Sequence, residues 1–233
     1  TKKQKQMKVV LVATSNGYLT DHPTGVWLEE LAGPYFVFQQ AGYDITIASP
    51  LGGAIPIDKA SLGDHVFTDD TKKFLHDPDC IGMLSHSTKL TDIDFTKDVD
   101  VIFMTGGHGT CVDFINQPSL KSAIETMFNS GKVVGAVCHG LICLTDCVKE
   151  DGSPLVEGLE VTGFTNSEEK AVELDEFVPF LLEDKLNEQG GKYQSADDWE
   201  SKVCSDSNLV TGQNPQSSVD CAKKIVEVVK NAE

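Results

Sequence analysis

Residues 132–140 read Lys-Val-Val-Gly-Ala-Val-Cys-His-Gly, and this stretch decides the fold that the sequence predicts. Its first six residues form an apolar, β-branched run that is typical of a buried strand. The run ends at Cys138, and a helix-compatible segment follows Gly140. A strand that turns sharply into a helix projects the turn residue into solvent at the carboxyl edge of a sheet, as in the nucleophile elbow of serine hydrolases. Cys138 is therefore a candidate nucleophile, and the adjacent His139 is a candidate base.

A helix that begins at this joint is expected to favour the thiolate of Cys138, because a helix N-terminus carries partial positive charge. The structural alternative is a small buried cysteine, since cysteine is among the most buried residue types. The local sequence favours the nucleophile.

Strand-like and helix-like segments alternate along the rest of the chain. Strands are predicted at 8–14, 43–49, 99–105, 132–137, 159–162 and 209–211, and helices at 26–41, 117–129, 140–147, 178–189 and 217–231. A kink or break is expected in the first helix at Gly33-Pro34. This alternation predicts an α/β fold with a mostly parallel sheet between layers of helices. We expect one domain over residues 1–233, with an irregular excursion at about 50–97 that forms a small inserted cap region.

Composition argues against two classes of partner. The chain has 36 acidic residues, 19 basic residues that are all lysine, and a formal net charge of -17. Proteins that bind nucleic acid normally carry basic patches and use arginine, so no nucleic-acid partner is expected. No apolar stretch approaches the roughly 18 to 20 residues that span a bilayer, so no membrane association is expected either. The basic start, Lys2 to Lys8, is predicted to be a solvated tail, because it lacks the apolar core of a signal peptide.

Seven cysteines are scattered along the chain, at positions 80, 111, 138, 143, 147, 204 and 221. Their odd number and the absence of a signal peptide argue against a disulfide framework and indicate the cytoplasm. Cys143 and Cys147 are four residues apart and share one face of the predicted helix, where we expect buried packing. Together with Cys138 they match no standard metal-ligand spacing.

Two further features are expected at the edge of the sheet where Cys138 lies, because ligands bind outside the carboxyl ends of parallel strands. Residues 106–109 read Gly-Gly-His-Gly directly after a predicted strand, and such glycines let backbone N–H groups approach a ligand. Together with the amide of His139 they are candidates for an oxyanion hole. Glu29 and Glu30 lie in the first helix, where only one of them can face this edge.

The positions of the histidines remove one alternative. The six histidines lie at 22, 65, 76, 86, 108 and 139, and none follows residue 139. A class I glutamine amidotransferase resembles this strand order and cysteine elbow, but it needs a downstream His-x-Glu to activate its thiol. The base in this chain must therefore be His139, His108 or a carboxylate.

The assembled motifs resemble those of the ThiJ/PfpI superfamily, and most of all its glutathione-independent glyoxalase branch, also described as heat-shock holding chaperones. The motifs follow one another over nearly the whole chain. They are residues 24–30 (TGVWLEE), 106–110 (GGHGT), 136–140 (AVCHG), 155–158 (LVEG), 161–169 (VTGFTNSEE), Trp199 and 209–215 (LVTGQNP).

The resemblance implies a flavodoxin-like fold and a role for each of several residues. Cys138 would be the nucleophile, with Glu30 as the acid or base beside it. His139 and Glu169 would complete a Cys-His-acid triad, with Glu168 as the competitor for the acid. The amides of Gly107 and His139 would form the oxyanion hole. No metal ligands match, and no cofactor is implied.

The function implied by the resemblance is the conversion of methylglyoxal to lactate, and of glyoxal to glycolate, through a hemithioacetal on Cys138. A small dicarbonyl substrate and a homodimer are expected. Three alternatives stay open: a holding chaperone, a protein deglycase and a cysteine-based redox stress sensor. A cysteine peptidase is a further possibility within the superfamily.

Overall fold

A seven-stranded sheet forms the centre of the chain in the computed structural model, which describes residues 6–232. The first residues of the expected basic tail, 1–5, lie outside the described residues. The strands of this sheet, in spatial order, are β10 (Val203–Asp206), β11 (Leu209–Gly212), β7 (Val133–Val137), β6 (Val101–Met104), β1 (Lys8–Val12), β4 (Asp44–Ser49) and β5 (Thr88–Lys89). Neighbouring strands are parallel, except that β10 runs antiparallel to β11.

Burial explains why the central strands have continuous apolar sequences. Every residue of β6 and β7 is buried, as are four of the five in β1. A parallel strand covered on both faces needs apolar side chains at every position rather than at alternate ones. The prediction of a mostly parallel sheet between helices is therefore confirmed.

Eight α-helices surround the sheet in the described part of the chain. They are α1 (Leu28–Gln40), α2 (Asp69–His76), α3 (Pro78–Ser85), α4 (Thr110–Asp113), α5 (Pro118–Asn129), α6 (Asn166–Ala171), α7 (Leu182–Glu188) and α8 (Ser218–Ala232). Helices α1 and α8 pack against each other, and α8 also covers β7 and β11. Helix α5 packs against β6 and β7. Short 3₁₀ segments lie at Lys59–Leu62, Leu90–Asp92, Cys138–Asp146 and Pro215–Ser217.

Helix α1 does not break at Gly33-Pro34, so of the expected kink or break, the break was wrong. The helix runs from Leu28 to Gln40 with Pro34 inside it. Proline removes one backbone hydrogen bond, but the residues on either side, such as Leu31 and Phe36, are buried in the core. Gly33 lies where α8 approaches closely, since a Cβ there would meet Val219 Cγ2 at 2.9 Å. Tertiary packing therefore holds the helix together through the proline.

Other segments also differ from the sequence predictions. The excursion at 50–97 is more regular than expected, since it contains α2, α3 and the edge strand β5. The segment predicted as a strand at 159–162 pairs outside the main sheet, as β8 (Glu160–Val161) with β9 (Lys192–Tyr193). A second small pair joins β2 (Tyr18–Leu19) and β3 (His22–Pro23). Strand β10 and helix α6 were not predicted.

The chain order of the strands locates the site. From β1 the chain passes to β4 and β5 on one side, and then to β6, β7 and β11 on the other. The crevice at such a reversal, outside the carboxyl ends of the strands, is the usual ligand site of open α/β sheets. The turns after β6 and β7 open at this edge. No helix among residues 6–232 has the length and apolar character needed to cross a membrane.

Candidate active site

Cys138 lies at a strained turn directly after β7. Its φ of 55° falls in the left-handed region, which residues other than glycine rarely adopt. The segment that follows is a 3₁₀ helix, Cys138–Asp146, and not the predicted α-helix. The expectation that the turn projects Cys138 into solvent was wrong, because only 3% of the residue is exposed. The side chain instead lines a cavity, described below, at the edge of the sheet.

The loop after β6 packs tightly against this turn and requires glycine. A Cβ on Gly106 would lie 2.5 Å from Glu30 Oε2 and 2.9 Å from both Cys138 Cβ and the His139 nitrogen. Gly107 has a φ of 99°, a conformation that favours glycine. The hydroxyl of Thr110 ties the two turns together, since it donates to the carbonyl oxygens of Gly107 at 2.8 Å and His139 at 3.0 Å. Gly107 and His139, the predicted oxyanion-hole residues, both line the cavity.

Glu30 is completely buried in the first turn of α1, next to Cys138. Its Oε2 accepts a hydrogen bond of 2.7 Å from the Gly106 N–H. Burial raises the pKa of this carboxyl well above its usual value, although hydrogen bonds with the Cys138 thiol and Gly106 oppose the rise. The neutral carboxyl of Glu30 is therefore more favoured over the carboxylate than it is in an exposed glutamate. Glu29 is not among the residues that line the cavity; burial raises its pKa to about 7, and the charge of Asp70 adds to the rise.

The resting state of Cys138 also differs from the prediction. Burial raises the pKa of this thiol well above its usual value, and the neighbouring Glu30 adds to the effect. The His139 backbone N–H acts in the opposite direction but does not offset them. The start of the helix does favour the thiolate, as expected, but burial and Glu30 outweigh it and the net pKa of the thiol is raised. The proton must leave the sulfur during the reaction.

Glu169 holds two histidines at once. Its Oε2 lies 2.6 Å from His139 Nε2, and its Oε1 lies 2.7 Å from His108 Nε2. His139 Nδ1 lies 3.3 Å from Cys138 Sγ. Burial alone would raise the pKa of Glu169, but the two histidines hold it well below the usual range. A carboxylate that accepts Nε2–H from His139 leaves Nδ1 as the acceptor for the thiol proton.

Glu168, the competitor for the triad acid, faces away from His139. Its two oxygens accept hydrogen bonds from the backbone or side chains of four residues: Thr165, Trp199, Gln213 and Asn214. The Thr165 hydroxyl in turn accepts from the Glu168 N–H, which completes a capping box at the start of α6. Adjacent acids of one short helix thus have different partners.

A cavity of about 310 Å³ opens above the sulfur. Phe164 packs against the His139 ring at 4.5 Å and against Trp199 at 5.9 Å between centroids. The wall is largely apolar and the polar groups converge on one end, which is typical of a small-molecule site. The lining residues are Trp27, Val66, Gly107, His108, Cys138, His139, Phe164, Val172, Trp199, Pro215 and Gln216.

Several residues that line the cavity could not be predicted from the sequence. Val66, Val172 and Gln216 come from separate loops and elements, so no spacing or periodicity brings them together. The start of helix α6, in contrast, could be predicted from the sequence, because Thr165 and Glu168 match the capping-box pattern. That pattern places a helix start just before Glu169.

The described residues contain one group with metal-ligating atoms close together, namely His108, His139 and Glu169, within 4.8 Å. No spacing in the sequence indicates such a set. Both histidine nitrogens lie 2.7 Å or less from a Glu169 oxygen. Two ligands at about 2.0 Å from a tetrahedral zinc ion are about 3.3 Å apart. The distances therefore suit hydrogen bonds, and we interpret the group as a proton-sharing set.

The remaining cysteines are buried and unpaired. The thiol of Cys143 donates to the Gly140 carbonyl at 3.0 Å, and that of Cys147 donates to the Cys143 carbonyl at 3.2 Å. Buried packing of this pair was predicted and is confirmed.

Comparisons with known proteins agree with these motifs. The model of the DJ-1/PfpI family matches residues 23–228. Glyoxalase 3 of Candida albicans is 30% identical over 230 residues, which cover 94% of this chain and 97% of the relative. Glutathione-independent glyoxalase HSP31 of Saccharomyces cerevisiae is 30% identical over 249 residues, with coverage of 96% and 98%. The X-ray structure of Francisella tularensis Rapid Encystment Protein 24 KDa superposes with a TM-score of 0.90 at 40% identity, and covers 95% of this chain and 98% of that one. The resemblance drawn from the sequence motifs is thereby confirmed: the chain belongs to the DJ-1/PfpI family.

Proposed function

We propose that this protein is a glutathione-independent glyoxalase that converts methylglyoxal to lactate, a lyase of the D-lactate dehydratase type. The observation that carries the proposal is the contact of Cys138 Sγ with His139 Nδ1, at 3.3 Å, in the lining of a largely apolar cavity. The relatives named as glyoxalases support the choice of reaction.

The first step forms the hemithioacetal. The thiol proton passes from Cys138 to His139 Nδ1 as the sulfur attacks the aldehyde carbon, C1, and the C1 oxygen becomes an oxyanion. The N–H groups of Gly107 and His139 are the proposed donors to that oxyanion. Glu169 stabilises the imidazolium of His139 while it holds the proton. A protonated Glu30 donates a hydrogen bond to the sulfur as negative charge develops there.

The second step moves hydrogen between the two carbonyl carbons. The C1 proton is removed to give an enediol and a proton is returned to C2, so C1 is oxidised to a thioester while C2 is reduced to an alcohol. Glu30 and His139 are the candidate bases that the family resemblance implies. Water then hydrolyses the thioester and releases lactate with a free Cys138. Because oxidation and reduction balance within the substrate, the proposal includes no cofactor.

Lactate formation from methylglyoxal without glutathione tests this proposal. Wild type should produce lactate, and Cys138→Ala should lose activity roughly 10³-fold or more. Cys204→Ala is the matched control, because Cys204 is also buried but lies in β10 outside the cavity. Full activity in Cys138→Ala would contradict the nucleophile. A folded, reduced wild type that forms no lactate would contradict the glyoxalase assignment and favour a holding chaperone, to be tested by suppression of client aggregation.

A redox-sensor role has less support. Susceptibility to oxidation follows thiolate character and exposure, and Cys138 at rest has neither. We further propose a cytoplasmic location, which seven unpaired cysteines support, and no nucleic-acid or membrane partner. The homodimer stays a prediction, which light scattering coupled to size-exclusion chromatography would check.

A further inference from the structure

His108 lines the cavity and has one ring nitrogen without a hydrogen bond in the described part of the chain. Its Nε2 is bonded to Glu169 Oε1, but within residues 6–232 nothing forms a hydrogen bond with its Nδ1. The side chain is 10% exposed, against 2% for His139 and 4% for Glu169. Among these three side chains, His108 is therefore the most accessible to a molecule in the cavity.

The same carboxylate fixes the tautomer of both imidazoles. Glu169 accepts the Nε2–H of His108 and of His139, which leaves a lone pair on each Nδ1. In His139 that lone pair faces Cys138 Sγ, so both ring nitrogens are occupied. In His108 it is unoccupied. Burial and the nearby His139, whose ring centroid is 4.0 Å away, lower the pKa of His108, so it is a neutral base at pH 7.

The other candidates for the carbon base are less suitable. Glu30 is 0% exposed and lies beneath the sulfur with its carboxyl bonded to Gly106. Its raised pKa favours the neutral carboxyl, which cannot accept the C1 proton. His139 already holds the thiol proton when the hemithioacetal forms, so its Nδ1 is no longer a base.

We propose that His108 is a second catalytic imidazole, which contacts the substrate and transfers the proton between its two carbonyl carbons. This assignment rests on the proposed glyoxalase function. In it, Nδ1 takes the C1 proton as the C1–H electron pair forms the C1–C2 double bond, while the C2 carbonyl electron pair moves to the C2 oxygen, which takes the proton held by His139. The same proton returns from His108 Nδ1 to C2 as the C1 oxyanion forms the thioester carbonyl and the C2 oxygen stays a hydroxyl. His139 thus accepts the thiol proton, and His108 transfers the proton between the two carbons.

The variant His108→Gln separates catalysis from positioning. A glutamine amide reaches about as far as Nε2 and can still donate to Glu169, but it is not a base. Loss of a general base costs typically 10²–10⁴-fold in rate, so we expect kcat to fall by that factor. Alkylation of Cys138 by iodoacetamide should stay at the wild-type rate, because the His139–Glu169 contact is kept. If His108 only positioned Glu169, His108→Gln would retain wild-type kcat, and this result would overturn the proposal.

A second variant keeps the proposal testable if His108→Gln fails to fold. His108→Ala leaves space beside Glu169, and added imidazole should restore lactate formation in a concentration-dependent manner. Absence of rescue in a variant that melts like wild type would also count against the proposal. A wild type that forms no lactate would instead refute the glyoxalase function and, with it, this role. An active wild type with an equally active His108→Gln would refute the role of His108 alone.

Discussion

At the scale of single residues, Cys138 combines two properties that oppose each other. Nucleophilic attack needs a thiolate, whereas burial favours the neutral thiol. The contact with His139 Nδ1 resolves the conflict, because the proton can leave when the aldehyde is bound and the developing charge moves to oxygen. A thiol that is neutral at rest also protects the site from oxidation between turnovers.

The resting thiol gives a pH prediction. A raised pKa means that the thiol form persists through neutral pH and that thiolate appears only as pH rises above the usual thiol value of about 8.5. In the absence of substrate, alkylation of Cys138 by iodoacetamide should therefore be slow at pH 7 and increase up to and beyond pH 9. Mass spectrometry of the Cys138 peptide, with Cys138→Ser as the blank, measures this rate. A midpoint at or below pH 7 would contradict the assignment of a neutral thiol.

The positions of the site loops along the chain were easier to predict than the burial and the pKa values of their residues. The turn at Cys138-His139 and the loop at Gly106-Gly107 each come directly after an apolar strand, and both lie where the sequence predicted them. Exposure and pKa did not follow, because both depend on α1 and on Phe164, which come from distant parts of the chain. The contact of His108 with Glu169 spans 61 positions and no spacing indicates it.

At the scale of elements, α6 directs two adjacent acids to different tasks. Glu169 contacts the two histidines, whereas Glu168 accepts hydrogen bonds from several loops that enclose the cavity. Successive residues of a helix point about 100° apart, so one short helix can supply one acid to the histidines and the next acid to the surrounding loops.

This division gives a paired prediction. Glu169→Gln should lower lactate formation roughly 10²–10⁴-fold, because an amide holds one histidine in the wrong tautomer. Glu168→Gln should instead destabilise the fold by about 1–3 kcal/mol, because its NH₂ group faces donors that lose their acceptor. Urea unfolding and steady-state assays on both variants check this. The reverse result, activity lost in Glu168→Gln and kept in Glu169→Gln, would assign the triad acid to Glu168.

Elements buried in the sheet were predicted best. Strands β6 and β7 have continuous apolar sequences that fit only a covered parallel sheet. One wrong prediction and one missed strand have physical causes. Pro34 predicts a break in α1, but packing of that helix against α8 outweighs the lost hydrogen bond. Strand β10 has half-buried polar residues at the sheet edge, so its sequence lacks the signal of an interior strand.

At the scale of the whole molecule, the dominant feature is charge. The 36 acidic residues exceed the 19 lysines and give a net charge of -17. Surface ion pairs such as Lys97–Asp94 and Lys224–Glu227 are exposed, and pairs of that kind contribute little to stability. Repulsion among the unpaired carboxylates therefore opposes the compact state.

Salt should stabilise this protein for that reason. The Debye length falls from about 30 Å at 0.01 M to about 8 Å at 0.15 M ionic strength, which screens repulsion across the surface more than it weakens the few close pairs. A gain of about 1 kcal/mol corresponds to roughly 2–4 °C in Tm for a chain of this size. Thermal melts at pH 7.5 in 0.01 M and 0.15 M NaCl measure the shift. At pH 5 the shift should shrink, because part of the carboxylates is then protonated and the net charge is smaller. A Tm that falls with salt at pH 7.5 would mean that attractive pairs outweigh the excess of negative charge.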